Sequence, residues 1–336
     1  MDKNKLLFNK EYEDFYKMAE DNAFFSNYCE EVHGIDFSQE GFSDKRQIDE
    51  MLIIAGIKPG DKVLDIGCGN GKMAKYIGEK TGATVYGFDY SENGIRFAKK
   101  SSEGNKRLIF EEGIIGEKKY ISESFDVILS VDSIYYTLDM EGVVKQIHSW
   151  LKPGGVFLVF YSEGNIMTKS KNEESTEIAL TFQAQNIPYV CMDYTAKHYA
   201  LLKHKRKVSE RKKEEFQKNN MEFYYQCALS TSIEEALSLD EFKEQQNRYL
   251  YIARKDVNLQ ALEQEEEEDL NISLKIAQNK EIDQEEQAEI IIDQADSNEV
   301  NRNQYRMNRP MFNLFGRNAP RRRVFPVRRF NNNNQQ

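Results

Sequence analysis

The chain has 336 residues, with 46 Lys and Arg against 56 Asp and Glu and a formal net charge of −10. At roughly 150 residues per domain that allows two domains, or one large domain with tails. No apolar run approaches the ~18 residues of a membrane span, the start MDKNKLLFNKEYEDF has no apolar signal core, and four cysteines and four histidines show no CxxC, HxH or HExxH spacing; this argues against a membrane role, a secretory leader and a bound metal, and for free thiols in a reducing, cytoplasmic setting. In chain order, Tyr12, Phe15, Tyr16, Phe24, Phe25 and Tyr28 recur at helical spacing among acids. Residues 1–45 therefore read as an N-terminal helical lid, with a turn-rich stretch GIDFSQEGFSD near its end. A helix follows from about Asp44, with Ile48, Met51, Leu52 and Ala55 on one face, stopping near Gly56.

From Lys62 the pattern becomes strand, glycine turn, helix, strand. Val63–Ile66 is a buried strand, Gly67 to Gly71 the turn, and Lys72 to Lys80 the helix. Thr84–Phe88 is a second strand ending at Asp89, and Ser91 is positioned to cap the helix that runs to Lys100. Further strands are expected at Leu108–Phe110, Phe125–Val131 and Gly155–Tyr161, with a helix over Met140–Leu151. Strands alternating with helices predict an α/β fold with a parallel sheet and helices on both faces. The alternation breaks after Ser162. Residues 163–221 read as a helical cap insertion, in which Tyr189, Tyr194 and Tyr199 are candidates to close a pocket; strand pattern then returns at Glu222–Ser230 and Asn247–Arg254. Residues 256–299, net −13, are expected to be an acidic helical or disordered segment, and 300–336, with nine arginines and no acid, a disordered Arg/Asn-rich tail.

The sharpest signal is Val63-Leu64-Asp65-Ile66-Gly67-Cys68-Gly69-Asn70-Gly71-Lys72. Glycine in such a turn lets a ligand approach the backbone with no Cβ in the way. The spacing selects among ligands. A dinucleotide fingerprint needs glycine at 72, where Lys72 stands, and a P-loop needs glycine at 66 and a hydroxyl at 73, where Ile66 and Met73 stand. Asp65, just before the turn, suits a ligand bearing an ammonium group.

Asp65-x-Gly67-x-Gly69-x-Gly71 resembles the first motif of the class I S-adenosylmethionine-dependent methyltransferases. Asp89 at the end of the second strand, Phe125-Asp126-Val127-Ile128 and Leu151-Lys152-Pro153-Gly154-Gly155 are similar to later motifs of that family, in order. The resemblance covers roughly residues 35–255. It implies a Rossmann-like, seven-stranded, mostly parallel sheet over 46–255, with S-adenosylmethionine as cofactor. By the same resemblance the cofactor contacts are Asp65, Gly67, Cys68, Gly69, Gly71, Asp89, Tyr90, Ile114 and Val131, with Ser38 and Gln39 folding over its carboxylate. The family often has Gly-Asp after the third strand to accept from adenine; here Gly113-Ile114 stands there. Either a backbone carbonyl accepts instead, or recognition is apolar, with Ile114 below the ring and Tyr90 at its edge.

The transferring methyl is expected beyond the first and fourth strands, beside Val131-Asp132-Ser133-Ile134-Tyr135-Tyr136. Asp132 and Tyr135 are the candidates for orienting the acceptor; the plainer alternative makes Asp132 a turn residue and the tyrosines packing. The loop lacks the Asn/Asp-Pro-Pro-aromatic and Pro-Cys signatures of DNA-methylating enzymes, so a small-molecule acceptor is the first reading. A protein or RNA substrate, or a degenerate cofactor-binding protein with a polyanion-binding tail, is the alternative. In 302–330 arginines interleave with aromatics, a composition that can stack on and bridge RNA or hold another acidic partner. A solvated tail neutralised by the adjacent acidic run is the simpler expectation.

Overall fold

A computed structural model describes residues 12–38, 41–165 and 167–256, together with a strand at Arg322–Phe325. Its centre is a run of strands with almost no exposed residue. β1 (Lys62–Ile66) is buried from Val63 onward, and β4 (Phe125–Val131) pairs with it in parallel, Val63 opposite Val127 and Ile66 opposite Ser130. Continuous burial of this kind is what a parallel strand covered on both faces requires. β2 (Thr84–Asp89) and β3 (Leu108–Glu112) extend the sheet on one side, and β5 (Leu151–Glu163) on the other. β7 (Asn247–Arg254) is antiparallel to β5 and to β6 (Tyr189–Asp193). The order is β3-β2-β1-β4-β5-β7-β6-β8.

Three differences from the sequence expectations concern this second half. Glu222–Ser230 is a helix, not a strand. Its buried side chains, Tyr225 and Ala228, stand three apart and follow buried Met221, so the apolar spacing is helical. The strand that joins β7 is instead Tyr189–Asp193, inside the segment expected to be a mostly helical cap insertion; its first four residues are buried, which removes the alternation that marks a half-exposed strand. Arg322–Phe325 forms an eighth strand, β8, antiparallel to β6, within the stretch expected to be disordered. The acidic segment and the rest of 300–336 lie outside the described residues.

The helices around the sheet are α1 (residues 12–19), α2 (Ala23–His33), α3 (Lys45–Ala55), α4 (Lys72–Thr81), α5 (Glu92–Ser101), α6 (Met140–Trp150), α7 (Glu177–Ala184), α8 (Thr195–Arg211), α9 (Lys213–Lys218), α10 (Glu222–Ser230) and α11 (Leu239–Gln245). Several are stopped and started by side chains. Asp44, Ser91 and Asp139 accept from the backbone N–H three residues on, and Ser238 with Glu241 forms a capping box on α11. One core joins Leu64, Ile128, Val144, Trp150, Phe157 and Tyr251 across one sheet face. A second core lies outside the sheet. There Phe15 of α1 and Phe25 and Tyr28 of α2 pack with Val208, Phe216 and Tyr225 of the cap.

Phe216 is the hub of that second core: its ring meets Phe24 at 4.9 Å and Tyr28 at 5.0 Å, both edge-on. Phe216→Ala is expected to cost about 3–5 kcal/mol and to act locally. Hydrogen exchange should speed up across 12–33 and 195–230 while β1, β4 and β5 keep their protection. Uniform loss of protection in the sheet would show that lid and sheet unfold as one unit.

Candidate active site

The carboxyl ends of β1, β2 and β4 open on one cavity of about 500 Å³, within the size range of small-molecule sites. Between β1 and α4 the chain turns through Gly67 at φ +73° and Gly69 at φ +53°, in the left-handed region that favours glycine. The turn is tied down by its own N–H groups. Gly67 and Cys68 both donate to the Phe88 carbonyl, at 2.9 and 3.1 Å, and Gly69 donates to the Asp89 carboxylate at 3.0 Å. Close packing forbids side chains as well. A Cβ on Gly67 would lie 2.5 Å from the Ser133 Cβ, one on Gly71 2.7 Å from the Ala98 Cβ, and one on Gly69 would collide with the Tyr16 hydroxyl. Gly71 itself is set back from the cavity, whereas Gly67, Cys68 and Gly69 line it. The Cys68 thiol is buried, and burial pushes its pKa up.

Two acids flank the turn differently. Asp89 lines the cavity and accepts from Gly69 on Oδ2 and from Ser91 on Oδ1, at 3.0 and 2.9 Å. Burial pushes its pKa up to about 6, against the pull of those N–H groups. Asp65 is not among the cavity-lining residues. It is fully buried on β1, both carboxylate oxygens have no hydrogen-bond partner among the described residues, and burial, reinforced by Asp89, pushes its pKa to about 7. Such an orphaned buried carboxylate is rare in a folded chain. It places a potential negative charge directly beneath the glycine turn, where a cationic ligand group would compensate it.

Tyr90, Ile114 and Val131 line the cavity, Ile114 on the segment that begins where Gly113 donates to the Asp89 carbonyl at 2.9 Å. Ser38 lines it too, at φ +48°, accepting from Lys72 at 2.6 Å; the same ammonium pairs with Asp36 at 2.6 Å and so ties the loop to the start of α4. Gln39 lies outside the described residues.

At the far end Tyr135 is buried, lines the cavity, and has its pKa raised by burial and then by Asp132. Asp132 also lines the cavity, but its carboxylate is committed. Oδ1 accepts from Arg248 Nη1 at 2.5 Å; Oδ2 accepts from Arg248 Nη2 at 3.1 Å, Ser43 Oγ at 3.0 Å and Phe42 N at 3.3 Å. Arg248 is fully buried on β7, and its remaining N–H groups reach Gln47 Oε1, Ser162 Oγ and Ser43 Oγ at 3.0, 2.6 and 2.6 Å. Asp132 sits at φ +55°, a conformation costly for a non-glycine residue, and the bidentate pair holds it there. Asp132 is thereby anchored, its carboxylate shared among Arg248, Ser43 and the Phe42 N–H.

The cavity is lined on one side by residues of the segment read in the sequence as an N-terminal helical lid, none of which is singled out there as a site residue. Tyr12, Phe15 and Tyr16 of α1 line it, and the Tyr12 and Tyr136 hydroxyls bond at 2.8 Å. Phe37, Phe42 and Thr231 complete the rim. The candidates from the cap do not: Tyr189 packs on Phe182 and Tyr251, Tyr194 on Phe160, and Tyr199 donates to the Leu237 carbonyl. Among the described residues, no cluster of His, Cys, Asp and Glu has the arrangement of a metal site.

Two outcomes follow from the electrostatics. Arg248→Met leaves Asp132, whose side chain is only 10% exposed, without its counter-charge, so it should lower stability by about 3 kcal/mol, and adding Asp132→Asn should restore most of that. Urea denaturation of the two single variants and the double variant measures this, and a cost below about 1 kcal/mol would mean the pair behaves as a surface bridge. Asp65 holds its proton to a higher pH folded than unfolded, because its pKa rises from the ordinary 3.8 to about 7. The ligand-free protein therefore loses stability through this group as pH climbs across that window. Thermal melts should show Asp65→Asn to be more stable than the parent at pH 8, with the gap shrinking toward pH 4.

Comparison with known proteins places this geometry. A family model described as a methyltransferase domain matches residues 57–256. Phosphoethanolamine N-methyltransferase 1 of Zea mays is 45% identical over 104 residues, 31% of this chain and 21% of that protein. Sterol 24-C-methyltransferase of Aspergillus fumigatus is 41% identical over 109 residues, 31% of this chain and 29% of that one. The chain thus spans less than a third of these relatives. In fold it is similar to Haemonchus contortus phosphoethanolamine N-methyltransferase 2 in complex with S-adenosyl-L-methionine, with a TM-score of 0.57, 21% identity, and coverage of 73% of this chain and 60% of the other. The matched stretch takes in β1, the glycine turn, Asp89, Asp132 and β7, and the chain belongs to the methyltransferase domain family.

Proposed function

We propose that this chain is an S-adenosylmethionine-dependent methyltransferase acting on a small molecule. The observation that carries the proposal is the glycine turn, closed by hydrogen bonds onto Asp89 at one end of a cavity that continues to Tyr135 at the other. The unpartnered Asp65 carboxylate beneath the turn is the independent test of fit: it is uncompensated unless a cationic group sits nearby. When bound, S-adenosylmethionine supplies an activated methyl group, so the protein's main task is alignment.

In this reading Asp89, already fixed by Gly69 and Ser91, accepts from the ribose hydroxyls. Ile114 and Tyr90 provide an apolar wall and an edge for the adenine. Ser38, and Gln39 beside it, meet the amino-acid end. Tyr135 faces the acceptor, and Asp132 positions Tyr135's loop through Arg248. The family relatives bear on the acceptor only broadly: their names cover a phosphorylated amine and sterols, both small molecules.

Titration calorimetry with S-adenosylhomocysteine tests the proposal. Wild-type protein should bind, and Gly69→Val should lose at least ~100-fold in affinity, because the new side chain fills the turn where the ligand meets backbone. Circular dichroism should show the fold retained. Binding of NAD in preference to S-adenosylhomocysteine would replace this reading with a dinucleotide one.

A further inference from the structure

We infer that the acceptor is an amine carrying no phosphate, its nitrogen held in a corner formed by Tyr12, Tyr135 and Tyr136. The inference deepens the methyltransferase reading and rests on it for the cavity's second occupant. Three observations carry it.

The corner is aromatic and fixed. The Tyr12 and Tyr136 rings stand 6.1 Å apart at 81°, so two walls meet almost at a right angle, and Tyr135 lies 5.1 Å from Tyr136 on the adjoining side. The Tyr12 and Tyr136 hydroxyls are bonded to each other at 2.8 Å, which locks the rings in place. Ring faces arranged around a small volume attract ammonium and methylammonium groups through their quadrupoles.

No free cation lines the cavity. Among the described lining residues there is no Lys, Arg or His, while of the two carboxylates Asp132 is paired with Arg248 and Asp89 belongs to the glycine-turn end. A phosphate dianion would therefore be desolvated here without a counter-charge, and the aromatic faces are what an ammonium would meet.

The nearest cations are committed elsewhere. Arg248 has five hydrogen bonds from its five N–H groups, to Gln47, Asp132, Ser162 and Ser43. Lys72 holds Asp36 and Ser38. Lys205 is buried behind Thr231, donating to its hydroxyl at 2.7 Å. A phosphate at the acceptor end would find the Thr231 hydroxyl in front of that lysine, not the ammonium itself.

The transfer balances simply. The neutral amine's lone pair forms the new N–C bond and the electron pair of the breaking C–S bond stays on sulfur. The ammonium so formed is a cation matched to the corner; where its nitrogen still bears a proton, that proton then passes to water and the product leaves as the neutral amine.

Three probes differing by one group test the inference on the full chain: choline, 3,3-dimethylbutan-1-ol, which replaces the charged nitrogen by carbon, and phosphocholine, which adds a phosphate. Ligand-observed NMR titrations are run with and without saturating S-adenosylhomocysteine. Choline should bind about tenfold tighter than the neutral analogue, and tighter than phosphocholine. Tyr136→Leu should abolish the preference for charge, whereas Tyr136→Phe, which keeps the ring, should retain it; S-adenosylhomocysteine affinity should be unchanged in both. Equal binding of choline and the neutral analogue overturns the inference, as does tighter binding of phosphocholine, which would mean that Lys205 reaches past Thr231. If S-adenosylhomocysteine fails to bind while choline keeps its preference, the cofactor reading falls and the acceptor class stands.

Discussion

The arrangement depends on one buried ion pair. Arg248, on the antiparallel strand β7, lies without solvent contact between β5 and the segment leading into α3, its guanidinium 4.6 Å from the Phe160 ring centroid. A guanidinium in such a place needs an acceptor for every N–H, and the chain supplies them from three parts of the sequence: Ser43 and Gln47, Asp132, and Ser162. Each of those segments borders the cavity or leads into it. The pair therefore does for the acceptor end what the Phe88 carbonyl and Asp89 do for the glycine turn: it fixes a loop conformation that its own sequence would not hold.

The parts legible in the sequence were those whose meaning is local. A strand that enters a glycine turn and leaves by a helix announces itself within ten residues, and the acid closing the next strand follows at family-like spacing. Asp132 was visible as a loop residue, but its partner is 116 positions away, and no spacing rule reaches that far. The same limit explains Tyr12 and Tyr16. Their helical periodicity was plain, yet the face they present is decided by where α1 docks, which depends on Phe216 and Tyr225 two hundred residues later.

The exchanged identities of β6 and α10 have a related cause. Tyr189–Asp193 and Glu222–Ser230 are both short and apolar enough to satisfy either template. What separates them is the partner available: the backbone of β7 for the first, the packed rings of the lid for the second. Tertiary context overrides propensity most easily in elements of five to nine residues.

The placement of α1 has a kinetic consequence. One short helix touches both ends of the cavity: Tyr16 covers Gly69 in the turn, while Tyr12 bonds Tyr136 at the acceptor end. Among the described residues α1 is an element that covers both ends, so a movement of α1 wide enough to uncover one end uncovers the other as well. That event must also disturb the ring contacts between α1 and α2, since Phe15 stacks edge-on against Phe25 at 5.6 Å. Opening of the cavity is thereby coupled to aromatic packing remote from the glycine turn.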